Sequence, residues 1–195
     1  MENRQFIIIV IVIALTAAVG GFYAQQWWRT AGTLVLIDNV TQNNIDESIE
    51  NNSSTINNVK RPDFTLTDLD NKSRSISEWD GKVILINFWA TWCPPCVREV
   101  PTLDKLNNDF KDKGFVVIGI AIDSLDAVTD FVDPLDLKYP ILLAEQQGIE
   151  LSQAYGNRLG ILPFSIIVDR QGKIAQKHEG EISYEQVEAL IKPLL

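Results

Sequence analysis

Sulfur and histidine are scarce in this sequence: its 195 residues hold two cysteines, one methionine and one histidine. A structural zinc site takes about four Cys or His ligands, and Cys93, Cys96 and His178 fall short of that, so no metal is expected. Two cysteines also exclude a disulfide-dense scaffold. Basic charge is short as well, with 17 Lys and Arg against 26 Asp and Glu and a formal net charge of −9. Without a basic stripe to neutralise phosphates, no nucleic-acid partner is expected. No internal repeat is visible. What the chain has in quantity is apolar residues, 46% of the total, which excludes a wholly disordered polypeptide. Its length suits one domain with appendages rather than two domains.

The longest apolar run lies at the amino end. Residues 6–24 carry no charged side chain and open as Phe6-Ile7-Ile8-Ile9-Val10-Ile11-Val12-Ile13. As a helix the run is about 28 Å long, close to the ~30 Å hydrocarbon core of a bilayer. Arg4 precedes it and Trp27-Trp28 follow at interfacial depth, which favours a cytoplasmic amino terminus and export of the rest. Residues 1–29 are therefore read as a membrane anchor. A cleaved signal peptide is the alternative, with Ala18-Val19-Gly20 as its small-residue site. Both readings place the remainder outside the cytoplasm. Residues 30–60, rich in Asn, are expected to form a polar tether.

From residue 61 onward strand-length apolar runs alternate with helical patterns, as in an α/β domain. This part holds 14 basic and 21 acidic residues, so the acidity belongs to it. Phe64-Thr65-Leu66 and Ser75-Ile76 are predicted to pair as a hairpin across Asp70-Asn71-Lys72. Val83–Trp89 and Phe115–Ile122 are nearly continuous apolar runs, as strands covered on both faces are, and a helix between them makes a parallel βαβ unit. Further elements are predicted at Leu125–Val132 (helix), Ile141–Leu143 (strand), Ile149–Tyr155 (helical), Phe164–Val168 (strand) and Lys173–Lys177 (strand). Ser183 and Gln186 form a capping box for a last helix. His178, in a polar stretch after the last strand, is expected to be exposed and without a role.

The two cysteines stand three apart in Trp92-Cys93-Pro94-Pro95-Cys96, past the end of one predicted central strand and at the start of a helix. A helix amino end offers free N–H groups and a partial positive charge, which stabilise a thiolate. Thiolate is the attacking species in disulfide exchange. Cys93 is thus the candidate exposed nucleophile and Cys96 the resolving thiol, so that a mixed disulfide with a client is released intramolecularly. A purely structural bridge is a weaker reading, because closing so short a loop removes little chain entropy.

Asn87-Phe88-Trp89-Ala90-Thr91-Trp92-Cys93-Pro94-Pro95-Cys96, followed by Glu99 and Pro101, resembles the thioredoxin-like, membrane-anchored thiol–disulfide oxidoreductases of the TlpA/ResA type. The resemblance runs from about Pro62 to the carboxyl end. It implies a thioredoxin fold, a central mixed sheet with flanking helices, carrying an added amino-terminal hairpin (63–76) and a central strand-helix insertion (133–155), here preceded by a single transmembrane helix. Gly160-Ile161-Leu162-Pro163 resembles the family's cis-proline segment, with Phe164-Ser165 where Thr-Thr is common. Pro163 and the Leu162 backbone would then lie beside the sulfurs and hold an extended client chain, with Trp92 and Pro94 on the same docking surface. Thioredoxin places a buried Asp where this chain has Asn87, which cannot take a proton. Glu99, one turn beyond Cys96, resembles the family's acidic residue and is the candidate general acid and base. Pro101 resembles the proline that kinks this helix.

The resulting expectation is a single-pass, extracytoplasmic dithiol–disulfide oxidoreductase that reduces protein disulfides and carries no cofactor beyond the Cys93-Cys96 couple. Implied partners are disulfide-containing client proteins, including apocytochrome c before haem attachment, a membrane dithiol electron donor, and lipid around the anchor. The oxidising direction stays open. The rival readings are a thiol peroxidase and a tethered binding or holdase domain with a structural disulfide.

Overall fold

The computed structural model describes residues 59–195. The expected anchor at 1–29 lies outside the described residues, as does the tether at 30–60 apart from its last two positions. Among the described residues no helix is long and apolar enough to cross a membrane.

The two apolar runs at the centre of the sequence are strands β3 (Val83–Trp89) and β4 (Phe115–Ala121), buried at every position. They pair in parallel from Val83 opposite Phe115 to Trp89 opposite Ala121, as the predicted βαβ unit requires. Helix α1 (Pro94–Phe110) makes the crossover, and helix α2 (Leu125–Val132) leads to a third parallel strand, β5 (Ile141–Leu143), beside β4. On the other side of β3, strand β6 (Phe164–Val168) runs antiparallel, and β7 (Ile174–Glu179) pairs antiparallel with β6. The amino-terminal hairpin, β1 (Thr65–Asp68) and β2 (Ser73–Ser75), joins the sheet through β5, with Thr67 opposite Leu143. Helix α3 (Gln147–Ala154) follows β5, and α4 (Tyr184–Ile191) closes the chain. The strand order is β2-β1-β5-β4-β3-β6-β7, a mixed sheet.

Alternation along β3 and β4 divides the core into two layers, because successive strand side chains point to opposite faces. Val83, Leu85 and Trp89 pack with Val117 and Ala121 against α1, α2 and α4, through Val100, Leu103, Val128 and Val187. Ile84, Ile86 and Phe88 pack with Ile118 and Ile120 on the other face against Trp79, Tyr155 and Ile166. Asn87 is the one polar residue of β3, and its place in the alternation aims it at α1.

Three local expectations need correction. Ile76 does not extend the return strand: Ser75 caps a 3-10 turn at Ile76–Trp79, with Glu78 completing the capping box, so the strand ends at Ser75. The hairpin's first strand begins at Thr65 rather than Phe64. His178 does not follow the last strand but lies within it, half-buried, opposite Ser165 and bonded through Nε2 to the Glu181 carbonyl at 3.2 Å. The capping box of α4 is present as expected, with Gln186 N–H on Ser183 Oγ and Ser183 N–H on Gln186 Oε1.

Candidate active site

Strands β3 and β6 are antiparallel neighbours, with Phe88 opposite Phe164. The carboxyl end of β3 and the amino end of β6 therefore lie at the same edge of the sheet. The first leads into Thr91-Trp92-Cys93 and the second is entered from Leu162-Pro163, so topology brings the cysteine loop and the proline segment together. The Leu162–Pro163 peptide is cis.

Cys93 and Cys96 form a disulfide, with Cα atoms 5.3 Å apart. Cys93 is the N-cap of α1, and Pro94 and Pro95 fill the first two helical positions. Neither proline has an N–H, so the first donor that α1 offers is the Cys96 amide. The oxidised Cys93 is 5% exposed and Cys96 is fully buried, which corrects the expectation of an exposed nucleophile in this state. The loop before the pair is held by Asp123, which accepts from Thr91 N–H at 3.1 Å and Thr91 Oγ1 at 2.6 Å. Burial pushes the Asp123 carboxyl up, but the Thr91 hydroxyl and the Ser124 and Thr91 amides outweigh it and leave it below its ordinary value.

Glu99 is 1% exposed, so it is not a solvated helix residue. Its Oε1 accepts from Asn87 Nδ2 at 2.7 Å and its Oε2 from the Ile182 amide at 3.0 Å, in the segment between β7 and α4. Burial pushes its carboxyl up from 4.5 to about 7, the Ile182 and Asn87 N–H groups oppose the rise, and the nearby Glu181 charge adds to it. One turn behind Cys96, then, stands a buried acid poised between its protonated and ionised forms near neutrality. Such a group can take and return a proton.

Three large apolar side chains on the two segments that meet here are exposed. Trp92 is 66% exposed and Leu159 78%, and Ile161 is also on the surface. The 157–161 loop is pinned from inside by buried Asn157, whose Nδ2 donates to the Ile161 carbonyl at 2.9 Å and whose Oδ1 accepts from the Ile161 amide at 3.0 Å.

Comparisons with known proteins agree with this geometry. The Redoxin family pattern matches residues 56–191. The chain belongs to the Redoxin family. It is 37% identical over 134 residues to the thiol-disulfide oxidoreductase ResA of Bacillus thuringiensis subsp. konkukian, covering 68% of this chain and 75% of that one. The ResA of Halalkalibacterium halodurans is also 37% identical over 134 residues, covering 67% and 74%. Among solved structures, a thioredoxin-family thiol:disulfide interchange protein from Chlorobium tepidum TLS superposes with a TM-score of 0.63 at 28% identity, over 70% of this chain and 95% of that one. A secreted thiol-disulfide isomerase from Corynebacterium glutamicum gives 0.64 at 25%, over 69% and 84%. This Redoxin-family chain is a thiol–disulfide oxidoreductase of the ResA type with a thioredoxin-like fold.

Four features of the redoxin site carry no clear mark in the sequence: Ser165 as a partner of Asn87, the Asp123 brace, the Asn157 pin, and the exposed Leu159 and Ile161. The sole local signal is the polar residue within each apolar strand, Asn87 in β3 and Ser165 in β6.

Proposed function

We propose that this chain reduces disulfide bonds of client proteins outside the cytoplasm, held at the membrane by an anchor at residues 6–24. The observation that carries this reading is the Cys93-Cys96 disulfide at the head of α1 with buried Glu99 one turn behind it. In the reduced enzyme the Cys93 thiolate attacks one sulfur of a client disulfide. A Cys93–client bond forms and the other client sulfur leaves as thiolate. Cys96 then gives its proton to Glu99 and attacks Cys93 Sγ; the Cys93–client bond breaks, the second client sulfur leaves, and the client thiolates take up protons from Glu99 and solvent. Two electrons pass to the client and the Cys93-Cys96 disulfide is formed. A dithiol donor in the membrane returns the pair to the reduced state.

Exposed Trp92 and Pro94 and half-buried Leu162, backed by buried Pro163, make the docking surface in this reading, extended by Leu159 and Ile161. An extended client chain pairs with the Leu162 backbone while its apolar side chains rest on that surface. The ResA resemblance makes apocytochrome c, oxidised at its haem-attachment cysteines, the proposed client.

The test uses the reduced full chain with insulin and with an oxidised Cys-x-x-Cys-His peptide. The wild-type chain is expected to reduce both with stoichiometric formation of its own disulfide. Cys93→Ser is expected to be inactive, and Cys96→Ser to accumulate a mixed disulfide through Cys93. An active Cys93→Ser variant would overturn the mechanism, and equal rates on the two substrates would remove the proposed client preference.

A further inference from the structure

The hydrogen bonds around Glu99 fit one protonation state only. Oε2 faces the Ile182 amide and Oε1 faces Asn87 Nδ2, and both neighbours are donors. That suits a carboxylate. A protonated Glu99 must place an O–H, and neither present partner can accept it. Burial nevertheless favours the protonated form at this site.

Asn87 holds the missing acceptor. Its Nδ2 also donates to Ser165 Oγ at 3.0 Å, whereas its Oδ1 is buried with no partner. Asn87 and Ser165 lie directly opposite in the β3–β6 ladder, so both side chains project from the same face. Half a rotation of the Asn87 amide exchanges Oδ1 and Nδ2 without moving another heavy atom. Oδ1 then accepts from protonated Glu99 and from the Ser165 hydroxyl, which donates as readily as it accepts. Each state gives both Glu99 and Ser165 a hydrogen bond to the Asn87 amide and leaves the other atom of that amide unpaired.

We propose that Asn87 is a positioning residue whose side-chain amide turns over each time Glu99 gains or loses its proton, with Ser165 switching between acceptor and donor in step. The proposal rests on the reading of Glu99 as the acceptor of the Cys96 proton. It explains what Asn does in place of a carboxylate: it follows the proton without competing for it. The other ionisable groups facing this network are the Cys96 and Cys93 thiols of α1 when reduced, His178 on β7 opposite Ser165, Glu181 beside Ile182, and Tyr139, which feels the Glu99 charge. Arg98 is engaged with Glu181.

The test is a pH titration of the isotopically labelled full chain by NMR, in oxidised form so that the thiols do not titrate. The Asn87 side-chain amide resonances are expected to titrate with the same midpoint as the Glu99 carboxyl carbon. Their contact with the Glu99 side chain should be present above the midpoint and lost below it. A contact that persists on both sides of the midpoint overturns the proposal. For the reduced chain, Asn87→Ala and Ser165→Ala are expected to slow resolution of the Cys93–client mixed disulfide about tenfold, roughly one hydrogen bond to the reacting acid. They should also displace the pH profile of that step, and Ser165→Thr, which keeps the hydroxyl, should restore it. Alanine variants with an unchanged pH profile also overturn it. Failure of the Glu99 reading is seen separately, as a Glu99→Gln chain that resolves at the wild-type rate.

Discussion

Replacing Glu99 by glutamine isolates the energetic consequence of a buried carboxyl. In the unfolded chain Glu99 has its ordinary value of 4.5, whereas in the fold burial raises it to about 7. Between these values the folded state binds the extra proton, so stability falls as pH rises. The contribution is fully present below pH 4.5 and is lost once pH has passed through about 7. At about 1.4 kcal/mol for each tenfold change in proton affinity, the loss is about 3 kcal/mol. A glutamine in this place would present an oxygen to the Ile182 amide and an NH2 to Asn87 Oδ1 after the amide turns, and it does not titrate. The variant and wild type are therefore expected to have similar stability at pH 4 and to diverge by about 3 kcal/mol at pH 8, with Glu99→Gln the more stable. The assay is urea unfolding of the two oxidised full chains at both pH values, followed by circular dichroism. With a slope of ~1.5 kcal/mol per molar urea, the midpoints should separate by about 2 M at pH 8. Taking the difference between the chains cancels the other titrating groups. Parallel stability curves across this range would refute the assignment of a buried, proton-holding Glu99.

Two further substitutions probe the frame around the site. Gly119→Ala in β4 would place a Cβ 2.8 Å from Ile141 Cδ1 and 3.1 Å from both Trp89 Nε1 and Tyr139 Cε2. All three neighbours are buried and must shift to admit the methyl, so a loss of about 2 kcal/mol is expected, measurable as a lowered thermal midpoint. Asn157→Ala removes the partners of the Ile161 amide and carbonyl. It is expected to cost about 2 kcal/mol and to speed amide exchange at Ile161 at least about tenfold, with unchanged protection counting against the pin.

Legibility followed the range of the interaction. The unbroken apolar runs of β3 and β4 announced strands covered on both faces, and Ser183 with Gln186 announced a helix start, because each signal sits within a few residues. Misjudged boundaries had local competitors. Ile76 carries a strand-like side chain, but Ser75 and Glu78 cap a 3-10 turn there, and the cap prevails. His178 looked like a loop residue because β7 is an edge strand with mostly polar residues and only half of its positions exposed.

The sequence by itself pointed to the chemistry: a Cys-Pro-Pro-Cys pair at a strand–helix junction, with an acid three residues on, is the pattern of a reversible redox couple. Tertiary structure alone decided how that acid behaves. Glu99 is buried because the 181–182 segment, more than 80 residues away in sequence, packs over α1, and it meets Asn87 and Ser165 because β3 and β6 pair in one particular register. Register and long-range closure depend on the sum of many weak contacts across the sheet, and no short window of residues contains that sum.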